Sequence, residues 1–433
     1  MDIHLKALGC RLNEAELEQW SQEFRALGHH ITQDSQHANL IVLNTCAVTS
    51  DAARKSRNLI HRFHRNNPEA KLVISGCHAS LDPDTVAQTL GVDLVVTNQD
   101  KDQLVTSVIQ QLDINSMPMM ATEPGEASLF SRGRHRAFIK IQDGCRYRCT
   151  FCIVTVARGD ERSRPEQEII DEVNRLSRQD IKEVILTGVH VGGYGSDLDT
   201  RLYELVQRLL SETDIPRIRF ASVEPWDLPD EFFNLFENPR LMPHMHLPLQ
   251  SGSDAVLRRM ARRCKTAEFR GLVEQARTAI PGFNVTTDII VGFPGETESD
   301  WQQTLDYVET IGFGHMHIFT YSPREGTKAA RLPEQVPDAI KKQRSRAMHE
   351  LADRLKQQQL QQLIGTSAEV LWERGQTTHN ENIQYEGYTR NFFRVRTETP
   401  PTIDIENQLL SVKVSGVDQG TLEGRLIEAS INQ

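Results

Sequence analysis

Cys145, Cys149 and Cys152 are spaced C-x3-C-x2-C within AFIKIQDGCRYRCTFCIVTVARGDERSR, residues 137 to 164. Three thiolates this close in sequence suit three corners of one four-iron cubane and leave the fourth iron without a protein ligand. An open iron can coordinate a substrate or cofactor, so the spacing points to chemistry more than to electron transfer. A structural zinc site calls for four ligands, usually as paired C-x2-C units. Disulfides are not expected of a chain with seven cysteines whose start, MDIHLKALGC, reads as a strand and not as a secretory signal.

Three more cysteines form a second candidate set. The apolar runs IHLKALGC, NLIVLNTC, KLVISGC and DLVVTN alternate with helix-like stretches such as EAELEQWSQEFRALG. That rhythm predicts β-α-β units with a parallel sheet. Cys10, Cys46 and Cys77 each close a predicted strand, and strand C-termini form the ligand crevice of open parallel sheets. One such cysteine would read as structural and buried. Three at equivalent positions predict a second three-cysteine cluster. Cys264, in ARRCKT, has no partner at ligand spacing and reads as a spare helical cysteine. His244, His246, His315 and His317 alternate along predicted strands and read as core histidines more than as metal ligands.

The elements that must position these groups divide the chain in four. Residues 1–112 form the N-terminal domain. Residues 113–135 carry Pro, Gly and Ser without a period and read as a linker. Residues 136–365 resume the βα rhythm with candidate strands AFIKI, EVILTG, RIRFAS, HMHL, FNVTTDIIVGF and HMHIFTY. Six units predict a partial, open (β/α)6 barrel of the TIM type, active at the strand C-termini. The cysteine loop follows its first strand. TGVHVGGYG, with Gly188, follows the second. SVEP places Glu224 at the rim after the third, as an acceptor for ribose hydroxyls or an amino group, or as a solvated side chain. VGFPGE, with Gly292 and Gly295, follows the fifth. One long charged helix, PDAIKKQRSRAMHELADRLKQQQLQQLIG, ends this part. Residues 366–433 alternate apolar and polar between regular turns and predict a small antiparallel barrel.

The flanking motifs bring a resemblance. C-x3-C-x2-C with Phe151 before the last cysteine resembles the radical S-adenosylmethionine enzymes. DGCRYRCTFC, ARGDERSRP, HLPLQSGSD and IIVGFPGET, with GCRLNEAE and NTCAVT upstream, resemble the methylthiotransferases among them, over essentially the whole chain. One departure is Thr155, where the family pattern often carries proline. The resemblance implies two [4Fe-4S] clusters, on Cys145, Cys149 and Cys152 and on Cys10, Cys46 and Cys77. It implies S-adenosylmethionine bound by the open iron beside Phe151, with the Gly188 loop near its methionyl amino group and Gly292 and Gly295 on its adenine side. It further implies that the terminal barrel is an RNA-binding TRAM domain. NTCAVT and GYTRNFFRV look closest to the branch that methylthiolates threonylcarbamoyladenosine beside the tRNA anticodon. The isopentenyladenosine branch and a branch acting on a ribosomal protein aspartate are the alternatives. From another class, a non-catalytic iron–sulfur RNA-binding or electron-transfer protein is opposed by the open ligand count and the glycine loops. The resemblance also implies an electron donor such as a flavodoxin or ferredoxin, and a sulfur donor the sequence does not name.

Composition fits this frame. Hydrophobic residues at 38% and charged residues at 25% are those of a globular protein with sizeable cores. No apolar run approaches the ~18 residues a membrane helix needs, so the cytoplasm is the expected location. The net charge of −10 excludes a protein basic all over. It leaves room for local basic surfaces. Residues 131–164 hold nine Arg or Lys against three acids, and residues 254–277 seven against three. In YEGYTRNFFRVR, Tyr385, Tyr388, Phe392 and Phe393 interleave with Arg390, Arg394 and Arg396, a pattern suited to stacking on bases and meeting phosphates.

Overall fold

A computed structural model describes residues 1–112, 135–378 and 380–427. The linker expectation for 113–135 lies outside the described residues except at His135. The N-terminal domain runs β1 (Asp2–Ala7), α1 (Arg11–Ala26), β2 (His30–Thr32), β3 (Leu40–Thr45), α2 (Ser50–Asn66), β4 (Lys71–Gly76), α3 (Cys77–Leu81), α4 (Pro83–Ala87), β5 (Leu94–Val96) and α5 (Leu104–Gln111). Its five strands are parallel in the order β2-β1-β3-β4-β5. Leu40–Thr45 is buried throughout, as a central strand covered on both faces must be. The short edge strand β2 has no apolar run of its own and was not expected.

The central domain has the six expected strands: β6 (Arg136–Lys140), β9 (Glu183–Thr187), β10 (Arg217–Phe220), β11 (His244–His246), β12 (Asn284–Val291) and β13 (His315–Thr320). An extra hairpin pairs β7 (Gln142–Asp143) with β8 (Arg162–Ser163) and brackets the cysteine loop. Strands β6, β9 and β10 are parallel neighbours, and so are β11, β12 and β13. Bridges at Ile218–Leu241 and Ser222–His246 join the two groups. The result is a curved sheet open between β6 and β13 among the described residues. Helices α6 (Val154–Arg158), α7 (Glu166–Arg178), α8 (Leu202–Glu212), α9 (Asp254–Arg259), α10 (Thr266–Ala279), α11 (Glu298–Ile311) and α12 (Asp338–Gln362) complete the domain. The helix-facing strand residues, among them Ala137, Ile139, Val184, Leu186, Ile218, Phe220, Val285 and Ile289, join the largest core. Strand alternation sends their neighbours into the barrel lumen.

The C-terminal strands β14 (Ser367–Trp372), β15 (Gln376–Thr377), β16 (Ile383–Thr389), β17 (Arg394–Thr399), β18 (Leu409–Asp418) and β19 (Thr421–Leu426) form one sheet. Pairing of β14 with both β18 and β16 closes it into a small barrel. This domain docks on the N-terminal ends of the central strands. Arg217 donates to the Tyr388 carbonyl at 3.1 Å, and Asn284 to the Asn391 carbonyl at 2.8 Å. Phe392, at φ 71°, lies 4.7 Å from the His244 ring and beneath the Arg219 guanidinium. It stoppers the barrel floor.

That docking corrects the expected stacking platform. Tyr385 and Phe393 are buried in the small barrel's own core. Tyr388 stacks on Phe392 under Arg136. The alternation expected of a nucleic-acid surface here serves a domain interface. Two further expectations change. Cys264 is not helical; it lies buried in the turn between α9 and α10. Of the four histidines only His244 is fully buried, while His315 and His317 face open space in the lumen.

Candidate active site

Each member of the first triad leaves the strand-to-loop junction after β7. The Cys145 amide donates to the Gly159 carbonyl and the Cys152 amide to the Cys149 carbonyl, which curls the loop. Thr155, where a proline was the more usual residue, donates its hydroxyl to the Tyr147 carbonyl at 3.1 Å and closes the turn. The Thr150 amide is anchored on the Met260 carbonyl. Phe151 leans on Phe293, beside Val256, Met260 and Tyr321, an apolar patch at the loop's edge.

The second triad is built by the sheet. Cys10 precedes α1, Cys46 follows β3 and Cys77 opens α3, so three adjacent strands deliver them to one crevice. Gly9 sits at φ 93°, and a Cβ there would lie 2.5 Å from the Cys46 Sγ. Glycine is therefore required for the Cys10 turn to approach Cys46. Asn98 donates to the Ala157 carbonyl at 2.7 Å and reaches the Cys77 Sγ at 3.8 Å, tying Cys77 to α6 directly behind Cys152. The triads are neighbours: Cys77 adds to the upward push on the Cys152 thiol.

A buried ion network, unanticipated from the sequence, holds the two domains in that register. Arg158 donates to Glu16 at 3.0 Å, to Asp143 at 2.9 Å and to Asn13 at 2.7 Å. Lys101 meets Glu16 at 2.7 Å, and Lys140 meets Asp143 at 3.2 Å. Arg158, Lys101 and Glu16 are each 1% exposed. Burial raises the Glu16 carboxyl, but Arg158, Lys101 and Lys140 more than offset it and hold it down at about 2. The signal was present in ARGDERSR, whose first arginine was counted only as local basic charge.

Behind Cys145 lies a polar cluster. His190 Nε2 is 2.6 Å from Asp227, and its Nδ1 contacts Glu161. Burial disfavours the imidazolium, yet these carboxylates raise His190 to about 9. Tyr147 donates to Asp227 at 2.8 Å. Glu224 is buried, not solvated at the rim; its Oε2 lies 3.7 Å from His190 Nε2 and accepts no hydrogen bond among the described residues. Burial pushes its carboxyl up, against the pull of His190 and Arg262. Gly188 is close-packed: a Cβ would lie 2.9 Å from the Gln142 Oε1, which accepts from the amides of Val189 and His190. A Cβ at Gly292 would overlap the Lys341 side chain, and one at Gly295 would crowd Glu334 and Arg259. Gly188 packs its loop on Gln142, Gly292 packs on α12, and Gly295 packs against Glu334 and Arg259.

The donor set fits iron. All seven cysteines are free, and six fall into the two triads. Burial pushes Cys145 up to about 12 and Cys46 and Cys152 up to about 11, and raises Cys10. Thiols in such places give up their protons to a bound metal cation. The buried Glu224 oxygen near His190 accepts no hydrogen bond among the described residues and so keeps capacity for a cationic or hydroxyl donor.

The architecture is that of radical S-adenosylmethionine enzymes: the family profile described as Radical SAM superfamily matches residues 139–308, and the Uncharacterized protein family UPF0004 matches residues 2–97. TsrM of Kitasatospora setae, a radical S-adenosylmethionine methyltransferase solved with cobalamin and a [4Fe-4S] cluster, shares the fold at a TM-score of 0.55. The match has 14% identity and covers 76% of this chain and 77% of that one. Among curated relatives, the threonylcarbamoyladenosine tRNA methylthiotransferase MtaB of Bacillus subtilis is 34% identical, covering 98% of this chain and 96% of the relative. The tRNA-2-methylthio-N(6)-dimethylallyladenosine synthase of Anoxybacillus flavithermus is 33% identical, covering 99% and 83%. The chain belongs to the methylthiotransferase family of radical S-adenosylmethionine enzymes.

Proposed function

We propose that this enzyme adds a methylthio group to carbon 2 of N6-threonylcarbamoyladenosine beside the tRNA anticodon. It would use two S-adenosylmethionine molecules, one as methyl donor and one as source of a 5′-deoxyadenosyl radical. The observation that carries this reading is the pair of cysteine triads meeting across a domain interface, one at the strand ends of the N-terminal sheet and one at the strand C-termini of the barrel. Cys145, Cys149 and Cys152 would hold a [4Fe-4S] cluster, and Cys10, Cys46 and Cys77 a second. Bound there and reduced, such a cluster would supply the electron for cleaving the cofactor's sulfonium, a chemistry that suits a carbon whose hydrogen is neither acidic nor hydridic.

The chain's own residues then bind and orient. Glu224 would offer its Oε2, which accepts no hydrogen bond among the described residues, to the cofactor's amino or ribose groups. Phe151, with Phe293 and Tyr321 behind it, offers an apolar seat for adenine. The Arg158 network fixes the distance between triads and excludes water from their junction. A stacked base hides carbon 2, so the substrate adenine must leave its stack to enter the barrel. Electrons would come from a flavodoxin- or ferredoxin-like donor and sulfur from a separate donor. No helix among the described residues is long and apolar enough to cross a membrane, and the reading is of a cytoplasmic enzyme. Kinship to the dimethylallyladenosine synthases favours one second reading: the same reaction on isopentenyladenosine.

Mass spectrometry of tRNA nucleosides from cells with and without the protein tests both. Loss of the methylthio mark from threonylcarbamoyladenosine is expected. Loss from isopentenyladenosine instead would select the second reading, and unchanged tRNA would overturn both.

A further inference from the structure

The barrel lumen carries a polar wall that the cysteine chemistry does not use. On β11, β12 and β13, the lumen-facing positions hold His246, Asp288, His315 and His317. His246 Nε2 is 3.2 Å from Asp288, and Asp288 pairs in register with His317. The His246 and His317 rings are 5.6 Å apart, and the His315 and His317 rings 4.9 Å. His315 and His317 are exposed to solvent within the lumen. Burial, with neighbouring positive charge, pushes His315 down to about 4 and lowers His317. The shifts favour the neutral imidazole in both, a form that can donate from one ring nitrogen and accept at the other.

Across the opening stands Arg11, next to Cys10. Its guanidinium lies 5.0 Å over the Phe138 ring of β6, and its charge reaches His317 of β13. It thus spans the gap between the two edge strands of the barrel. Its ion pair with Glu14, 3.1 Å long with the arginine 62% exposed, is a weak surface pair easily exchanged.

We propose that Arg11, His246, Asp288, His315 and His317 form the pocket for the N6 substituent of the substrate adenine, selecting a carboxylate-bearing urea. The inference rests on the threonylcarbamoyl reading above and deepens it. Carbon 2 and the N6 substituent leave the purine on different sides. With carbon 2 presented to the triads, the substituent extends along the wall. Arg11 would meet the carboxylate, Asp288 would accept from urea N–H groups, and the neutral histidines would bond the carbonyl and hydroxyl. Phe138 would cover the threonyl methyl. An isopentenyl tail would strand these donors and acceptors without partners, which sites built for hydrogen bonding reject strongly.

The test uses full-length reconstituted enzyme and three synthetic anticodon stem-loop RNAs. One carries threonylcarbamoyladenosine, one isopentenyladenosine and one plain adenosine. Wild type should prefer the first over the third by about tenfold or more in Kd. Arg11→Gln, His317→Leu and Asp288→Asn should each lose most of that margin while binding plain RNA as before. Iron content and Tm equal to wild type's certify the fold of each variant. A preference that survives in all three variants, or a loss shared equally by every RNA, overturns the proposal. So does stoichiometric Zn2+ binding abolished by Asp288→Asn, which would make the wall a metal site. If wild type modifies the isopentenyl RNA and ignores the threonylcarbamoyl one, the branch reading falls and takes this pocket with it. Failure in the variant arm alone strikes only the pocket.

Discussion

Cys145, Cys149 and Cys152 come from one loop of eight residues, whereas Cys10, Cys46 and Cys77 are gathered from strand ends spread over 68. The first triad is shaped by local hydrogen bonds, such as Thr155 to the Tyr147 carbonyl. The second exists only because β1, β3 and β4 are adjacent and end level. The difference teaches where each can fail. Loop ligands can be lost singly with little harm to the domain. Strand-end ligands share their geometry with a sheet core and with the Arg158 network.

The comparison can be broken most severely at the ligands. Replacing Cys145, Cys149 and Cys152 by Ala should abolish 5′-deoxyadenosine formation and halve the iron, from about eight to about four per chain. Cys46→Ala should remove the other half and stop methylthiolation while cofactor cleavage continues. Loss of all iron in either variant would refute independent sites, and methylthiolated product from Cys46→Ala would remove the second triad from the mechanism.

Arg158→Met sharpens the contrast, because it leaves Glu16 and Asp143 as buried charges without their chief partner. Stability should fall by ~3–5 kcal/mol, seen as a lower denaturation midpoint. The Cys10–Cys46–Cys77 iron should be lost before the loop iron, since Asn13 beside Cys10 is among Arg158's acceptors. Equal loss from both triads would mean that the network does not favour one.

The far end of the barrel offers a control that should touch both triads alike. Burial, then Arg219, His246 and His315, hold His244 well below 6.5 and so neutral. The unfolded chain takes up a proton near pH 6.5 that the folded chain refuses. Stability should therefore be full above that pH and fall by up to ~1.4 kcal/mol per unit below it. His244→Gln should flatten this limb of a pH-stability curve, and an unchanged slope would discount the group. The smallest expected effect is on RNA. Among the described residues, Arg394 pairs with Glu386, and Arg396 with Glu386 and Asp418, at the surface. Arg390 donates to the Pro239 carbonyl and belongs to the interface. Changing Arg394 and Arg396 to Gln should reduce the slope of log K against log salt by about 1 to 2. An identical slope would place phosphate contact elsewhere.

Much of this was legible in sequence because periodicity and motif spacing are local. All six barrel strands, the long helix Asp338–Gln362 and the strand-end position of the three N-terminal cysteines are where alternation placed them. What escaped depends on contacts between distant segments. Arg158 binds Glu16 across 142 residues, and nothing near either marks the other. Phe392 and Tyr388 had the composition of an RNA platform, but strand order turned them onto Arg219, His244 and Arg136. The sequence placed Glu224 on its loop but left open whether it was an acceptor or a solvated side chain, since burial is set by helix and loop neighbours that periodicity does not reveal.

A vessel stoppered at its base fills and empties through its mouth. With Phe392 seated in the floor, a guest in the lumen enters and leaves by the mouth or by the gap between β6 and β13. RNA drawn over the opening would then hold back any spent small molecule beneath it. On the proposed function, a cycle using two cofactor molecules per product would have to replace the first before the RNA settles, and the turnover clock would be set by RNA departure. The queue, more than the bond-breaking, would govern throughput.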